Sequence, residues 1–195
     1  MKTDARVRYT RMIIQKTFLD LLKKKNISKI TVKEICDIAQ INRATFYKHY
    51  QDPYDLLEQF QNEAIQGLLD MIEASSEKST EQSLHSILTI MQENKEMFAK
   101  FATMKEDKSF SFRLAVSCFE KMNEMRMENG GSAPAFSGIY FGYIAGGTSG
   151  IIEYWLRSGM KESPADIAHT IVKLNNTIPN ARYSPSSRNR QPIPQ

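Results

Sequence analysis

The chain contains few of the residues that most often carry metal, redox or proton-transfer chemistry: two cysteines, three histidines and one tryptophan in 195 residues. Cys36 and Cys118 lie far apart and match no metal-ligand or redox spacing, which favours a reduced, cytoplasmic protein. His49, His85 and His169 are isolated from one another, without the spacing of a zinc site. We therefore expect no metal site.

Patterns for targeting, phosphate binding and nucleophilic catalysis are also missing. The start, MKTDARVRYT, is charged and has no secretory apolar stretch behind it. The run AGGTSG lacks the Gly-Lys-Ser/Thr ending of a phosphate loop and follows no predicted strand. Ser149 lacks a nucleophile-elbow frame, because Ile151 stands where that frame requires glycine. We expect no catalytic residues, no enzymatic activity and no cofactor.

Charge of the two signs is distributed unevenly along the chain. Residues 1–50 contain 12 Lys and Arg against 4 Asp and Glu, a net charge of +8, whereas residues 51–180 contain 11 against 18, a net of −7. A basic segment joined to an acidic remainder favours contact between that segment and a polyanion. A charged surface that is merely solvated is the alternative.

Apolar residues recur with helical spacing, and no segment shows the sustained period-two alternation of a strand. We predict an all-α fold of about nine helices. The first three are expected over about residues 8–25, from a capping box at Thr31 and Glu34 with Ile35, Ile38 and Ala39 facing inward, and over about 42–50. A long fourth helix is expected to open at Pro53. The predicted division is a head over residues 1–52, a helical body over 53–178 and a disordered tail over 179–195.

Residues 31–50, TVKEICDIAQINRATFYKHY, predict two short helices joined by a tight turn. The exposed face of the second helix is basic and polar, as a recognition helix in the major groove of DNA requires. Arg43 and Thr45 suit base edges, whereas Tyr47 and Lys48 suit phosphates. A basic helical hairpin that packs on an acidic partner is the alternative.

Four features of the sequence together resemble a known family. They are the apolar first helix, ITVKEI at residues 30–35, NRATFYKHY at 42–50 and the leucine pair at 56–57. With them, residues 8–57 resemble the N-terminal domain of the TetR family of bacterial regulators. The resemblance implies a three-helix DNA-binding head, in which Thr31, Tyr47 and Lys48 hold the DNA backbone while Arg43, Ala44 and Thr45 face bases. The full set of expected DNA-contacting residues is Thr31, Asn42, Arg43, Ala44, Thr45, Tyr47, Lys48, His49 and Tyr54.

The resemblance also implies a function. The expected protein is a homodimeric, sequence-specific transcriptional regulator, and a repressor, with a palindromic double-stranded operator as its partner. A small-molecule effector or a protein partner is expected to modulate its DNA affinity, and no membrane is expected to take part.

The chain departs from the family's pattern at two positions. Gln40 stands in the turn where the family usually has glycine, and a non-glycine residue at positive φ is uncommon. Pro53 stands where the family favours lysine at the start of the fourth helix. One phosphate contact is therefore expected to be missing, or to be replaced by Tyr54 or by a helix-terminal amide.

Residues 129–152 carry no charge, and Gly138, Gly142, Gly146 and Gly150 recur every four positions. In an apolar twenty-residue segment this spacing marks a membrane dimerisation face, although the proline, hydroxyl and glycine content dilutes the hydrophobicity below that of a comfortable span. The soluble interpretation is a shallow groove that another helix or a ligand approaches closely. The run GGTSGIIEYWLRSGMKESPADIA resembles the end domain of one TetR subgroup, in which this helix and the last one form the dimer interface. The expected interface comprises Gly142, Gly146, Gly150, Trp155, Ile167, Ile171 and Leu174.

A set of flexible and aromatic side chains in the acidic half suits the wall of an effector pocket. The alternative for each of them is an ordinary place in the core. The set comprises Met91, Phe98, Phe101, Met104, Phe119, Met122 and Tyr143. Two other classes of function remain open: a helical interaction protein whose basic head binds an acidic partner, and a helical ligand-binding or enzymatic protein with no role at DNA.

Overall fold

The computed structural model describes residues 2–74, 79–103, 110–128 and 138–177. Within these ranges the protein forms nine α-helices, one short 3-10 turn and no strand, so the predicted all-α class is confirmed. The helices are α1 (Lys2–Lys24), α2 (Val32–Ala39), α3 (Arg43–Tyr47), α4 (Pro53–Glu73), α5 (Thr80–Glu93), α6 (Lys95–Thr103), α7 (Phe110–Glu128), α8 (Gly138–Arg157) and α9 (Pro164–Thr177).

Helices α1, α2 and α3 pack around large apolar side chains that are fully buried. Phe18 of α1, Ile35 of α2 and Phe46 of α3 have no exposed surface, and Leu56 at the start of α4 joins them. Burial of each such side chain contributes about 1.5–3 kcal/mol. Ile38, which was expected to face inward, is 57% exposed. The buried stripe of α2 runs through Ile35, Cys36 and Ala39, and Ile38 lies to one side of it.

Only one half of the capping box predicted at Thr31 and Glu34 forms at the start of α2. The hydroxyl of Thr31 accepts a hydrogen bond from the backbone N–H of Glu34. The carboxylate of Glu34 accepts one from Lys25, so this side chain ties α2 to the end of α1. Gln40 ends α2 in the left-handed conformation, with φ of 53° and ψ of 43°.

Two helix boundaries differ from the prediction. Helix α1 begins at Lys2, ahead of residue 8; the additional turns carry exposed side chains such as Arg6 and Val7, which leave no apolar period to detect. Helix α3 ends at Tyr47, short of residue 50, because the carbonyl of Phe46 accepts hydrogen bonds from both His49 and Tyr50 where the chain turns.

Helix α4 runs from the head into the body, where five further helices enclose the remaining core. Its start is set by Pro53 in the first turn and by Asp52 as the N-cap. Helix α5 packs on α9, α7 packs on both α4 and α8, and α6 lies between α1 and α8. The buried apolar cluster is continuous from Ile14 to Ile171, so the division at residue 52 stays a prediction.

Side-chain contacts fix the relative directions of the body helices. Helix α9 runs antiparallel to α5, because His169 contacts Glu81 while Met160, just before α9, contacts Gln92. It also runs antiparallel to α8, because Asn175 contacts Thr148 while Glu162 lies against Trp155. Helices α5 and α8 therefore begin at the end of the body where α9 finishes.

None of the helices in the described ranges is long and apolar enough to cross a membrane. The predicted tail over 179–195 lies outside the described residues.

Candidate functional site

The outer face of α3 is open to solvent while its inner face is anchored in the core. Arg43, Ala44 and Lys48 are exposed, and Tyr47 is 57% exposed. Phe46, on the inner side, is fully buried and packs edge-on against the ring of Tyr47. The residues expected to meet DNA therefore lie on the surface, held by an aromatic anchor beneath them.

Asn42 starts α3 with its own side chain. Its Oδ1 accepts hydrogen bonds from the backbone N–H of Thr45 over 2.7 Å and from the Thr45 hydroxyl over 2.9 Å. Asn42 was expected among the DNA contacts, but this oxygen is engaged in capping a helix of only five residues. Thr45 is half-buried, and its hydroxyl is oriented by the same cap.

Thr31 and Tyr54 are exposed at the N-terminal ends of α2 and α4. At α4 the carboxylate of Asp52 accepts hydrogen bonds from the backbone N–H groups of Tyr54, at 2.7 Å, and Asp55, at 2.9 Å. These amides are thus occupied by an anion of the chain itself. The Asp52 cap therefore competes with any phosphate for these helix-terminal amides, whereas the Tyr54 side chain is 47% exposed.

His49 lies half-buried just after α3. Burial chiefly, and then the positive charges of Arg11 and Lys48, lower the pKa of His49 from its ordinary value of 6.5. The imidazole is consequently neutral at neutral and alkaline pH, so in this range the positive charge of this surface comes from Arg43 and Lys48.

A polar cluster joins Tyr50 to α1 and α4. Tyr50 is the last residue of the segment 31–50, here named the recognition segment. The hydroxyl of Tyr50 accepts hydrogen bonds of 3.4 Å from Arg11 and from Gln15. Both of those side chains also donate to the carboxylate of Glu63 on α4. The ring of Tyr50 is fully buried, so the recognition segment is fixed against the helix that enters the body.

The body contains a cavity of about 410 Å³ between α5, α7, α8 and α9, here named the body cavity. Its volume lies in the range of pockets that enclose small ligands. Its apolar walls comprise Leu84, Ile87, Leu88, Leu114, Ala115, Cys118, Phe119, Met122, Ile144, Ile152, Ile171 and Val172, and its polar walls comprise Thr80, Asn123, Tyr140, Thr148, Asn175 and Asn176.

The residues expected to line an effector pocket divide into three groups. Phe119 and Met122 line the body cavity. Met91, Phe98 and Phe101 are buried in the core outside the cavity walls, the two phenylalanines packing edge-on at 6.1 Å between ring centroids. Tyr143 is 65% exposed on α8, so the prediction that it lines the pocket is wrong. Met104 lies outside the described residues.

Most of the polar lining was not predicted, although the spacing contained a hint. Asn175 follows Ile171 by four positions, and Thr148 stands midway between Ile144 and Ile152, so each belongs to an inward-facing stripe. Their hydrogen bond of 3.4 Å crosses between α8 and α9. A polar residue at an inward position of an apolar stripe needs a hydrogen-bond partner inside the protein, so its presence in the sequence hints at a cavity with polar groups in its wall.

Helix α8 carries an uncovered face of apolar and glycine positions, here named the α8 face: Ile139, Gly142, Tyr143, Gly146, Gly150 and Tyr154. Ile139 is 86% exposed, and the three glycines are exposed as well. A Cβ atom built on any of these glycines would meet nothing within 4 Å. Leu174 is exposed on the neighbouring α9. Contiguous apolar surface of this kind is typical of a protein–protein contact.

Three residues expected at the dimer interface are instead buried within this chain. Trp155 has no exposed surface, and its indole N–H donates to the carbonyl of Glu162 over 2.9 Å. Ile167 and Ile171 face the core, and Ile171 also lines the body cavity. These three side chains have no surface to offer a second copy, because helices of their own chain already cover them.

The described parts of the chain contain no candidate metal site and no exposed cysteine. No group of three or more histidine, cysteine, aspartate or glutamate side chains is placed to hold a metal ion there. Cys36 and Cys118 are free, buried thiols, and burial raises the pKa of Cys118 to about 12.

Comparison with known proteins gives one family and several similar folds. Residues 78–177 match a TetR-type family model described as "Transcriptional regulator C-terminal region". The chain is 26% identical over 168 residues to the "Uncharacterized HTH-type transcriptional regulator YxbF" of Bacillus subtilis, a match that covers 83% of this chain. It spans only 43% of that relative's length.

Three solved structures share the fold at lower identity. The "Dihydroxyacetone kinase operon activator DhaS" superposes with a TM-score of 0.64 at 22% identity, covering 85% of this chain and 93% of its own. A TetR transcriptional regulator from Streptococcus agalactiae gives 0.66 at 21%, covering 90% and 98%. The fatty acid degradation regulator FadR from Bacillus halodurans gives 0.60 at 14%, covering 85% and 94%.

Proposed function

The chain belongs to the TetR family of transcriptional regulators, and we propose that it is a homodimer that binds a specific DNA sequence and responds to a ligand or partner at its body. The observation that carries this proposal is the exposed basic face of α3, fixed on buried Phe46 and Tyr50.

Each exposed side chain of this face has a role that its chemistry permits. The guanidinium of Arg43 can donate two parallel hydrogen bonds to a guanine edge, while Ala44 offers a small apolar contact to a thymine methyl group. Lys48, Tyr47 and Thr31 suit phosphate oxygens, which set position and orientation on the duplex. Asn42 acts through the cap that orients Thr45.

Dimerisation follows from the limited reach of one recognition helix. A single short helix reads few base pairs, whereas a two-fold dimer reads two half-sites of a palindrome. We assign the interface to the α8 face together with Leu174, because that surface is apolar and is not covered by the described residues of this chain.

Regulation by an effector is supported by the body cavity and by a physical route from it to the head. Glu63 on α4 binds Arg11 and Gln15 of α1, and α7, which lines the cavity, packs on α4. A ligand that favours one position of α4 would shift the population of head spacings that fit the operator.

We propose repression as the outcome, since a dimer on its operator excludes other proteins from that stretch of DNA. One protein of similar fold is titled an operon activator, so the choice between repression and activation of transcription needs its own test. A reporter gene behind a DNA fragment that the protein selects should be less active when the regulator is present.

The central experiment is a titration of duplex DNA across salt concentrations with wild type and Lys48→Ala. A phosphate-reading dimer should show a steep log–log slope, and each lost phosphate contact should reduce that slope by about one. Lys121→Ala is the matched control, because it removes the same charge from α7, where Lys121 pairs with Glu73. An unchanged slope for Lys48→Ala, or binding indifferent to salt, would favour a protein partner or a function without DNA.

A further inference from the structure

The body cavity is electrically neutral along the walls that the structure describes. None of its lining residues is a lysine, arginine, histidine, aspartate or glutamate. Its one thiol, Cys118, stays protonated at physiological pH because burial raises its pKa to about 12. An ionised ligand would leave water here without meeting an opposite charge, which is strongly unfavourable.

The polarity of the walls also changes along the cavity. Helices α5 and α8 begin, and α9 finishes, at the same end of the body. Helix α7 runs antiparallel to α8 and finishes there too. Phe110 at its start packs on Phe101, beside Ala102, whose carbonyl accepts a hydrogen bond from Arg157 at the far end of α8. Phe119, further along α7, packs edge-on against Phe141 near the start of α8. That end carries Thr80, Asn123, Tyr140, Asn175 and Asn176. Thr148, the remaining polar residue of the lining, accepts a hydrogen bond from Asn175, while Leu88, Leu114 and Ile152 line the opposite end.

We propose that the body cavity takes an uncharged amphiphile, with an apolar body against Leu88, Leu114 and Ile152 and one hydroxyl, carbonyl or amide group among the asparagines. This inference rests on the proposed role of the cavity as the effector site. Asparagine amides both donate and accept hydrogen bonds, so they match any of these neutral groups. The volume of about 410 Å³ admits a ligand of small-molecule size.

The test compares four probes that share one alkyl chain and differ in the head group: decan-1-ol, decanamide, decanoate and decylammonium. Calorimetric titration of the full chain should give binding of the two neutral probes, about tenfold tighter or more than that of the two ions. Equal affinity for decanoate or decylammonium, or no binding of either neutral probe, would overturn the proposal.

A charged side chain introduced at the polar end of the body cavity tests where the ligand's head group lies. Asn175→Asp should strengthen binding of decylammonium and weaken that of decanoate, because the new carboxylate attracts a cationic head group and repels an anionic one. Asn26→Asp is the matched control: it adds the same charge in the head, where aspartate also serves as an N-cap, and the order of the four probes should not change. Asn123→Asp repeats the test from α7 if Asn175→Asp does not fold. If the cavity variant folds and the order of affinities of the four probes stays unchanged, the proposed orientation of the ligand in the cavity is wrong.

A second readout separates this inference from the proposed function. The salt-dependent titration of DNA is repeated with the neutral probe that binds. Binding of that probe without any change in DNA affinity would contradict the effector role and leave the ligand class intact. A response of DNA affinity to the ions alone would contradict the ligand class and leave the regulatory function intact.

Discussion

At the scale of single residues, the turn between α2 and α3 places an L-amino acid where glycine fits best. Gln40 has φ of 53°, and its side chain is exposed. A left-handed conformation costs an L-residue about 1–2 kcal/mol, and glycine adopts it freely at some cost in chain entropy. The turn is therefore formed against a local preference, which the burial of Ile35 and Phe46 on either side offsets.

Gln40→Gly should raise the free energy of unfolding by about 0.5–1 kcal/mol, as the relieved strain exceeds the added entropy of the unfolded chain. Urea denaturation measures the change. Gln66→Gly, within α4, should instead lower stability by about 1 kcal/mol. Destabilisation by both substitutions would mean that Gln40 makes a favourable contribution beyond its backbone conformation.

The second prediction at this scale concerns His49 and proton uptake. Because its pKa is lowered below 6.5, His49 is neutral at pH 8, and His49→Gln should leave DNA affinity there nearly unchanged while Lys48→Gln weakens it. Below pH 6.5 the polyanion favours the protonated imidazole, so wild-type affinity should rise more steeply with falling pH than that of His49→Gln. Identical pH profiles for the two proteins would place His49 away from the DNA.

At the scale of elements, α8 is a helix with two apolar sides, and the described part of the chain covers one of them. Trp155 and Ile152 on the inner side are buried, whereas Ile139 and Tyr143 on the outer side are exposed. The glycine positions of the outer side meet no atom of their own chain within 4 Å. The monomer therefore tolerates a side chain there, which makes substitution at these positions a specific probe of association.

Gly146→Leu should weaken the dimer while preserving the fold, because the new side chain enters open space in the monomer but separates the paired helices. Sedimentation equilibrium measures the association. Gly67→Leu on α4 is the matched control, since Gly67 is also an exposed helical glycine with nothing within 4 Å. A dimer that withstands Gly146→Leu would exclude the α8 face from the interface.

At the scale of the whole molecule, head and body are joined by charged contacts in addition to the shared core. Lys23 of α1 pairs with Glu96 of α6 over 2.7 Å. The hydrogen bond and charge of Lys23 lower the pKa of Glu96, with a smaller lowering from Lys95 and an opposing effect of Asp20. The pair supports the arrangement of α1 on α6 only while Glu96 is ionised.

The contribution of this pair should vanish in acid. Since Glu96 titrates below its ordinary value of 4.5 in the folded state, its stabilising effect is complete above that value and is lost as the pH falls through the lowered pKa. The difference in melting temperature between wild type and Glu96→Gln should accordingly be present at pH 7 and disappear in acid. Glu93→Gln, also exposed, is the control, and a difference that persists in acid would point to a role other than charge.

Local sequence determined the helices and the recognition segment, because caps, turn residues and helical periods act within a few positions of the chain. Thr31, Asn42 and Asp52 cap their helices through their own side chains, and the spacing of Arg43, Lys48 and Phe46 fixes which of them faces outward. The same reasoning failed for Ile38, for the start of α1 and for the end of α3, where few apolar positions mark the face or the boundary.

Tertiary structure alone decided which apolar surfaces are core, cavity or interface. Sequence shows that Trp155, Ile171 and Tyr143 each occupy an apolar stripe, but a stripe does not say which neighbour covers it. The packing of α6, α7 and α9 around α8 buries Trp155, places Ile171 at the body cavity and leaves Tyr143 exposed. Burial is a property of distant helices brought together, and the period of a single helix cannot contain it.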